Sequence, residues 1–255
     1  MNSLFDLKNK NALVTGASSG LGKQFAQALA LQGANIAMAA RRIERLEELS
    51  QELQGYGVKT ISIKTDVTKE SDVQSTVEKI VSEWGKIDIV VNCAGVTAIA
   101  EAQKMSHEQW QKVIDTNLTG MFFVCKHAGE KMISQKYGRI INIASMYGTV
   151  GNAEFPVVNY HASKFGAVGI TKALAAEWAK YGITVNAIGP GFFESEMTAA
   201  AINTPDFQKL VQAKCPMGRI GKPGELNGIL VYLASDASSY CTGQIICVDG
   251  GWTAV

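Results

Sequence analysis

Seven short apolar runs alternate with longer stretches of helical period along this sequence, and that rhythm restricts the fold more than any other feature. The runs are Ala12–Thr15, Asn35–Ala40, Lys59–Thr65, Ile87–Asn92, Arg139–Ala144, Ile183–Ile188 and Gln244–Val248. Most are nearly continuous in Val, Ile, Ala and Met, as strands buried on both faces must be. Between them, Leu46, Leu49 and Leu53 return every three or four positions, with Glu44, Glu47, Glu48 and Glu52 turned outward. Val73, Val77, Ile80 and Val81 repeat the pattern, and Pro223–Ser235 reads as a further helix opening on proline. Strand–helix alternation of this length implies an α/β fold, a parallel sheet with helices on both faces. No linker or repeat interrupts it, so residues 1–255 read as a single domain. The rhythm is weakest over Phe192–Gly221, which carries Pro205, Pro216 and the small residues Ala199–Ala201. That segment is expected to be a mobile lid that orders on binding.

Composition excludes several classes of function. The chain has 255 residues, 47% of them hydrophobic and 18% charged, with a net charge of +1. Such a balance supplies a full core and no global field for nucleic acid or an anionic membrane. The five cysteines are scattered, form no C-x-x-C, and are not flanked by the three histidines at metal-ligand spacing. No metal site is expected, and free thiols suit a reducing compartment. Met1–Asn11 lacks the apolar core of a secretory signal, and no run approaches the ~18 apolar residues of a membrane span. A soluble cytoplasmic protein is the expectation. The apolar ending Ile245–Val255, with Trp252 beyond the last strand, suggests a surface that seeks a partner.

The first run leads directly into Thr15-Gly16-Ala17-Ser18-Ser19-Gly20-Leu21-Gly22, followed by the helical pattern Phe25–Leu31. Glycines let a backbone turn tightly against a pyrophosphate, and the helix after them offers free N–H groups and partial positive charge. The spacing G-x-x-x-G-x-G is not a Walker A loop, because no G-K-[ST] closes it. Gly16, Ser18, Ser19, Gly20, Leu21 and Gly22 are therefore candidates to hold a dinucleotide. Arg41 and Arg42 follow the second run, and neither Asp nor Glu occurs from Asn35 to Ile43. Arginine there accommodates a 2′-phosphate, so NADP(H) is expected in preference to NAD(H), with NAD(H) still possible.

Tyr160 and Lys164 lie four apart in the helical stretch Val157–Tyr181, which puts them on one face. An ammonium beside a phenol favours the phenolate and is expected to pull the tyrosine toward working pH. Such a phenol can give a proton to a carbonyl or take one from an alcohol, and the Ser145 hydroxyl can hold the same oxygen. His161 is turned about 100° away around the helix and reads as packing.

These residues, taken in order, resemble the short-chain dehydrogenase/reductase family over essentially the whole chain. The resemblance rests on Thr15–Gly22, Asp66-Val67, Asn92-Cys93-Ala94-Gly95, Asn117, Ser145, Tyr160/Lys164, Pro190-Gly191 and Asp249-Gly250-Gly251. It implies a Rossmann-type, doubly wound, seven-stranded parallel sheet and a nicotinamide-dependent oxidoreductase that interconverts a ketone and a secondary alcohol. It also implies that Asp66 and Val67 hold the adenine, while Asn92, Ala94 and Gly95 flank the adenosine ribose and stabilise the central strand. Asn117 would hold a water in a proton relay to Lys164, Ser145 would orient the substrate oxygen, and Tyr160 would transfer the proton. Lys164 would also grip the nicotinamide ribose, with Pro190, Gly191, Phe193 and Ser195 at the nicotinamide. Ala40 stands where NAD-preferring members carry an aspartate, and a homotetramer is implied.

Three positions depart from the family pattern. Cys93 replaces a usual Asn and is expected to pack away from the cofactor. Ser195 replaces a usual Thr. Ser145 and Tyr160 are fifteen apart rather than the more usual thirteen, which alters a loop bordering the substrate. Substrate walls are expected from Val96–Ala100, Met146–Val158 and Phe192–Met217, with Met146, Tyr147, Phe155, Phe192 and Met197 as contacts. Glu154 and Glu194 read as solvated. Substrates left open are a 3-oxoacyl thioester, a keto-sugar acid or a steroid or other cyclic ketone. A catalytically silent dinucleotide sensor should have lost Ser145, Tyr160 or Lys164. An epimerase or dehydratase usually needs a larger substrate domain than the sixty-odd residues after Pro190.

Overall fold

The computed structural model describes residues 4–255; residues 1–3, the start of the Met1–Asn11 segment, lie outside the described residues. Seven strands form one sheet: β1 (Asn11–Thr15), β2 (Asn35–Ala40), β3 (Thr60–Lys64), β4 (Ile89–Asn92), β5 (Gly138–Ile143), β6 (Ile183–Pro190) and β7 (Ile245–Val248). Their spatial order is β3-β2-β1-β4-β5-β6-β7, and every pairing is parallel. The apolar runs therefore mark the strands to within two residues at either end. The helices are α1 (Gly20–Leu31), α2 (Ile43–Gln54), α3 (Glu70–Trp84), α4 (His107–Ile114), α5 (Gly120–Gln135), α6 (Val158–Trp178), α7 (Ala199–Ile202), α8 (Pro205–Lys214) and α9 (Asn227–Ala234).

Successive strand residues point to opposite faces, which explains why the runs are continuously apolar. Val14, Ile36, Met38, Ile89 and Val91 pack with Phe25 and Leu29 of α1, Leu46, Leu49 and Leu53 of α2, and Leu230 and Leu233 of α9. Their neighbours Leu13, Ala37, Val90 and Ile140 pack with Val73, Val77 and Ile80 of α3, Val124 and Met132 of α5, and Leu174 and Trp178 of α6. The strand order reverses between β1 and β4. The loops leaving those two strands diverge, and the crevice between them is the usual ligand position in a doubly wound sheet.

Two local expectations are corrected and one segment gains detail. The helix expected over Pro223–Ser235 begins only at Asn227, because Gly224 adopts φ +91° and its turn interrupts the first four residues. The segment Phe192–Gly221 contains two helices. Thr204 accepts a hydrogen bond from the Phe207 amide at 3.4 Å and Pro205 takes the first turn of α8. That capping residue and proline are a helix-start signal legible in the sequence. Finally, the apolar ending does not present Trp252 to a partner. Asp249 accepts hydrogen bonds from the Gly251 amide at 2.9 Å and the Thr253 amide at 3.0 Å, and this turn folds Trp252 into the chain's own aromatic cluster.

Candidate active site

A cleft of about 440 Å³ crosses the carboxyl ends of the strands at the reversal point. One end is lined by Ala40, Arg41, Asp66 and Val67, the other by Ser145, Tyr160, Lys164 and Pro190, with the glycine-rich loop between. The loop is formed by contacts that admit no side chain. A Cβ on Gly22 would lie 2.2 Å from the Gly16 carbonyl oxygen, and one on Gly16 would lie 2.8 Å from the Ala94 backbone. Gly16 and Gly20 also adopt φ +68° and +51°, conformations that glycine takes without strain. Ser19 caps α1 without a side-chain bond to its amides, and no acidic residue stands in the first turn. The amides at this helix start remain available to an anion. An elongated cleft, a side-chain-free loop and a helix N-terminus together fit a dinucleotide.

The candidate adenosine end is held by short polar contacts. Asp66 accepts from the Thr68 amide at 3.1 Å and the Thr68 hydroxyl at 2.8 Å. Val67 is buried against Gly120 at the start of α5. Ala94 and Gly95 line the cleft, whereas Asn92 does not. Asn92 is fully within the core and donates to Asn142 Oδ1 of the adjacent strand at 2.9 Å. Of the two roles read for it, the structure places it as a tie within the sheet. Cys93 packs against the core, as expected, at a position that also borders the cleft. Burial pushes its thiol up to about 12, so it stays protonated.

The two arginines behave differently. Arg41 is exposed at the cleft and its guanidinium makes no hydrogen bond among the described residues. Arg42 reaches back across the mouth of the loop, donating to the hydroxyls of Ser18 at 3.1 Å and Ser19 at 2.9 Å. It also pairs with Glu196, between β6 and α7, at 2.9 Å. Glu196 was not singled out from the sequence. Nothing in its local pattern signals that this carboxylate meets residues more than 150 positions earlier.

At the other end, α6 carries Tyr160 and Lys164 and β5 delivers Ser145. Lys164 is 4% exposed, its Nζ donates to the Ile143 carbonyl at 2.7 Å, and that nitrogen lies 5.5 Å from the Tyr160 ring centre. Burial holds the Lys164 ammonium down to about 8. The expectation that the ammonium draws Tyr160 toward neutral pH is not met. Burial pushes the phenol up to about 12, and the Ser145 hydroxyl pulls it back only in part. The loss of solvation around the ring outweighs an ammonium that is itself poorly solvated and aimed at a carbonyl. Asn117 sits on a π-helical turn, Asp115–Thr119, between α4 and α5. It accepts from the Val96 amide at 2.8 Å and donates to the Val96 carbonyl at 2.9 Å and to the Ser163 hydroxyl at 3.1 Å. It thus ties the β4 loop to α6 one residue from Lys164.

Pro190 ends β6, and the Gly191 amide donates to the Val248 carbonyl at 3.0 Å. Phe193 pairs with Gly221 in an isolated bridge, which joins the two ends of the segment Phe192–Gly221. Ser195, Phe193 and Met197 line the cleft. Four expected substrate contacts do not. Met146, Tyr147, Phe155 and Phe192 instead join Phe207 and Trp252 in a cluster beside the cleft. Phe192 is its hub, edge-on to Phe207 at 4.8 Å and to Trp252 at 5.3 Å. Tyr147 stacks on His161 at 4.8 Å, in keeping with His161 as packing, and the Tyr147 hydroxyl is buried without a hydrogen-bond partner among the described residues. Glu154, read as solvated, is instead largely covered and paired with Lys214 of α8, whereas Glu194 is exposed as expected. Among the described residues there is no cluster able to hold a metal, no helix long and apolar enough to cross a membrane, and five free cysteines.

This fold and cleft are those of the short-chain dehydrogenase/reductase family, to which the chain belongs: it is an NAD(P)-dependent oxidoreductase interconverting ketones and secondary alcohols. The family model described as enoyl-(acyl carrier protein) reductase matches residues 16–253. The 3-oxoacyl-(acyl-carrier-protein) reductase FabG of Staphylococcus aureus is 40% identical over 243 residues, covering 95% of this chain and 97% of that protein. The reductase of the same name from Thermotoga maritima is 40% identical over 245 residues, covering 96% and 98%. A short-chain type dehydrogenase/reductase from Mycobacterium marinum superimposes with a TM-score of 0.94 at 41% identity, covering 99% of this chain and 98% of that one. A gluconate 5-dehydrogenase from Burkholderia cenocepacia, solved with NADP and tartrate, superimposes with a TM-score of 0.94 at 33% identity, covering 98% of each chain.

Proposed function

We propose that the protein is an NADP(H)-dependent reductase of a small ketone, with Tyr160 as the proton donor. The observation that carries this reading is the placement of the Tyr160 phenol beside Ser145 and Lys164 at one end of a dinucleotide-shaped cleft, where burial favours its protonated form. A protonated phenol is the form that gives a proton to a carbonyl oxygen. NADP(H), when bound, supplies or accepts the hydride. Ser145 holds the substrate oxygen by its hydroxyl, and Tyr160 delivers the proton to that oxygen. Lys164, anchored on the Ile143 carbonyl, steadies the charge that develops on the phenol and holds the nicotinamide ribose. Asn117 positions α6 against the β4 loop and supports the proton supply to Lys164. Asp66 and Val67 border the adenine, Ala94 and Gly95 the adjacent ribose, and Pro190, Gly191, Phe193 and Ser195 the nicotinamide. The lid moves the Phe192 cluster to admit substrate, and the partnerless Tyr147 hydroxyl is its first polar contact beside Met146, Phe155, Phe192 and Met197. A 3-oxoacyl thioester is the first substrate to test, supported by the names of the 40%-identical relatives, and a keto-sugar acid the second.

The preference for NADP(H) rests on Arg41 and Arg42, with Ala40 leaving no carboxylate to anchor an unphosphorylated ribose or repel a phosphate. Arg41→Ala should raise the KM for NADPH by roughly ten- to a hundredfold, the loss of one charge-assisted contact, and leave NADH nearly unchanged. Absorbance assays of both coenzymes across a ketone panel measure this. A wild-type kcat/KM that favours NADH, or equal losses for both coenzymes in the variant, would remove the phosphate-binding role.

We also propose a homotetramer with two-fold axes, built from further copies of this chain. With Trp252 turned inward, support comes from the exposed apolar side chains Trp110 on α4, Phe122 on α5, and Val158 and Phe165 on α6. Apolar groups on neighbouring helices are stabilised by burial against a second copy. Sedimentation at micromolar concentration should give four times the chain mass, and a monomer there refutes the assembly.

A further inference from the structure

The lid is tied to the phosphate loop by one carboxylate. Glu196 receives hydrogen bonds from Arg42 Nη2 at 2.9 Å, Arg42 Nη1 at 3.2 Å and the Ser19 hydroxyl at 3.0 Å, and it pairs with Arg45 Nη1. Its backbone position is prepared for this. Thr198 Oγ1 accepts from the Ser195 amide at 3.0 Å and donates to the Phe193 carbonyl at 2.8 Å, closing the turn on which Glu196 stands. The two guanidiniums and the hydroxyl hold its carboxyl down at about 2, so it is an anion throughout the physiological range. Arg42 and Ser19 are thus already engaged by an anion of the shape that a guanidinium fork recognises in carboxylates and phosphates alike.

We propose that Glu196 is an internal phosphate surrogate: a lid carboxylate that occupies the Arg42 and Ser19 donors, latches the lid across the loop, and gives way to the 2′-phosphate of NADP(H). The inference rests on the assignment of Arg41 and Arg42 to that phosphate and adds the competitor for it. Its thermodynamic consequence is selective. NADH carries no group for these donors, so the latch closes again after entry and its contacts cancel between free and bound protein. NADPH takes Arg42 from Glu196, the lost contacts stay lost, and two anions come to share one arginine cluster. Glu196 therefore lowers the affinity for NADPH and leaves that for NADH in place, narrowing the preference that the arginines create.

Three point variants separate this from other roles of the same residue. Glu196→Gln keeps the shape and removes the charge at an exposed position. Its Kd for NADPH should fall about three- to tenfold, in keeping with a network of exposed ion pairs, while its Kd for NADH stays within about twofold. Adenosine 2′,5′-bisphosphate and AMP, used as competing probes of the adenosine end alone, should divide the same way. Arg45, whose only ion pair among the described residues is with Glu196, gives an independent check: Arg45→Gln leaves the carboxylate to Arg42 alone and should weaken NADPH, an effect that Glu196→Gln in the same chain should remove. Arg42→Gln should weaken it, because that change removes a phosphate donor. Nucleotide fluorescence titration reads all of these without turnover. Equal tightening of NADPH and NADH in Glu196→Gln would make Glu196 a general clasp and overturn the proposal. Weaker NADPH binding in Glu196→Gln would mean that the cluster prepares the phosphate site rather than competes for it, and also overturns it. A wild-type protein that binds NADH more tightly than NADPH would instead defeat the underlying phosphate assignment, an outcome visible before any variant is made.

Discussion

Tyr160→Phe is expected to reduce kcat by about 10²–10⁴-fold, the range for loss of a positioned general acid. The ring of Tyr160 packs at the edge of the aromatic cluster, and phenylalanine keeps that packing. The Lys164 bond to the Ile143 carbonyl does not involve the phenol, so the neighbouring ammonium stays in place. NADPH affinity should therefore be nearly unchanged while turnover is lost. Steady-state kinetics beside fluorescence titration of the nucleotide separates the two. A variant retaining more than a tenth of wild-type kcat would show that the proton comes from elsewhere.

A second large effect is expected at Gly22→Val. The new Cβ would lie 2.2 Å from the Gly16 carbonyl oxygen, with backbone rather than a flexible side chain in the way. Gly16 cannot retreat, because its own Cα faces the Ala94 backbone, where even a methyl would lie at 2.8 Å. The first turn of α1 must then separate from the loop, and the amides that fit a pyrophosphate lose their common aim. NADPH affinity should fall by at least about a hundredfold, the equivalent of losing roughly 3 kcal/mol of anion binding. The fold itself should lose only about 1–3 kcal/mol, as for other overpacked sites. Nucleotide titration alongside thermal unfolding tests both halves. NADPH binding within tenfold of wild type would show that the loop is not the pyrophosphate site.

How much was legible beforehand depended on the range of the interaction involved. The strands were readable because burial on both faces demands unbroken apolar runs, and β1, β2 and β6 begin within one residue of those read in the sequence. The glycine loop and the Tyr160–Lys164 pair were readable because each is a local spacing, closed by one turn of chain or of helix. The capping signal Thr204-Pro205 was equally local and marks α8 inside the segment read as lid.

Other features depend on where distant segments meet. The phenol of Tyr160 follows local desolvation rather than its sequence neighbour Lys164, and solvation is a property of the assembled site. Trp252 reads as an exposed anchor until the Asp249 turn carries it onto Phe192. Arg42 and Glu196 are 154 positions apart, and no pattern in either stretch announces the pairing. Local periodicity and spacing determine the parallel sheet, the glycine-rich loop and the Tyr160–Lys164 pair, because those features arise from short-range sterics and two-sided burial. Tertiary structure alone decides the desolvation of Tyr160, the inward turn of Trp252 and the pairing of Glu196 with Arg42, because each depends on which groups folding brings together and which it removes from water.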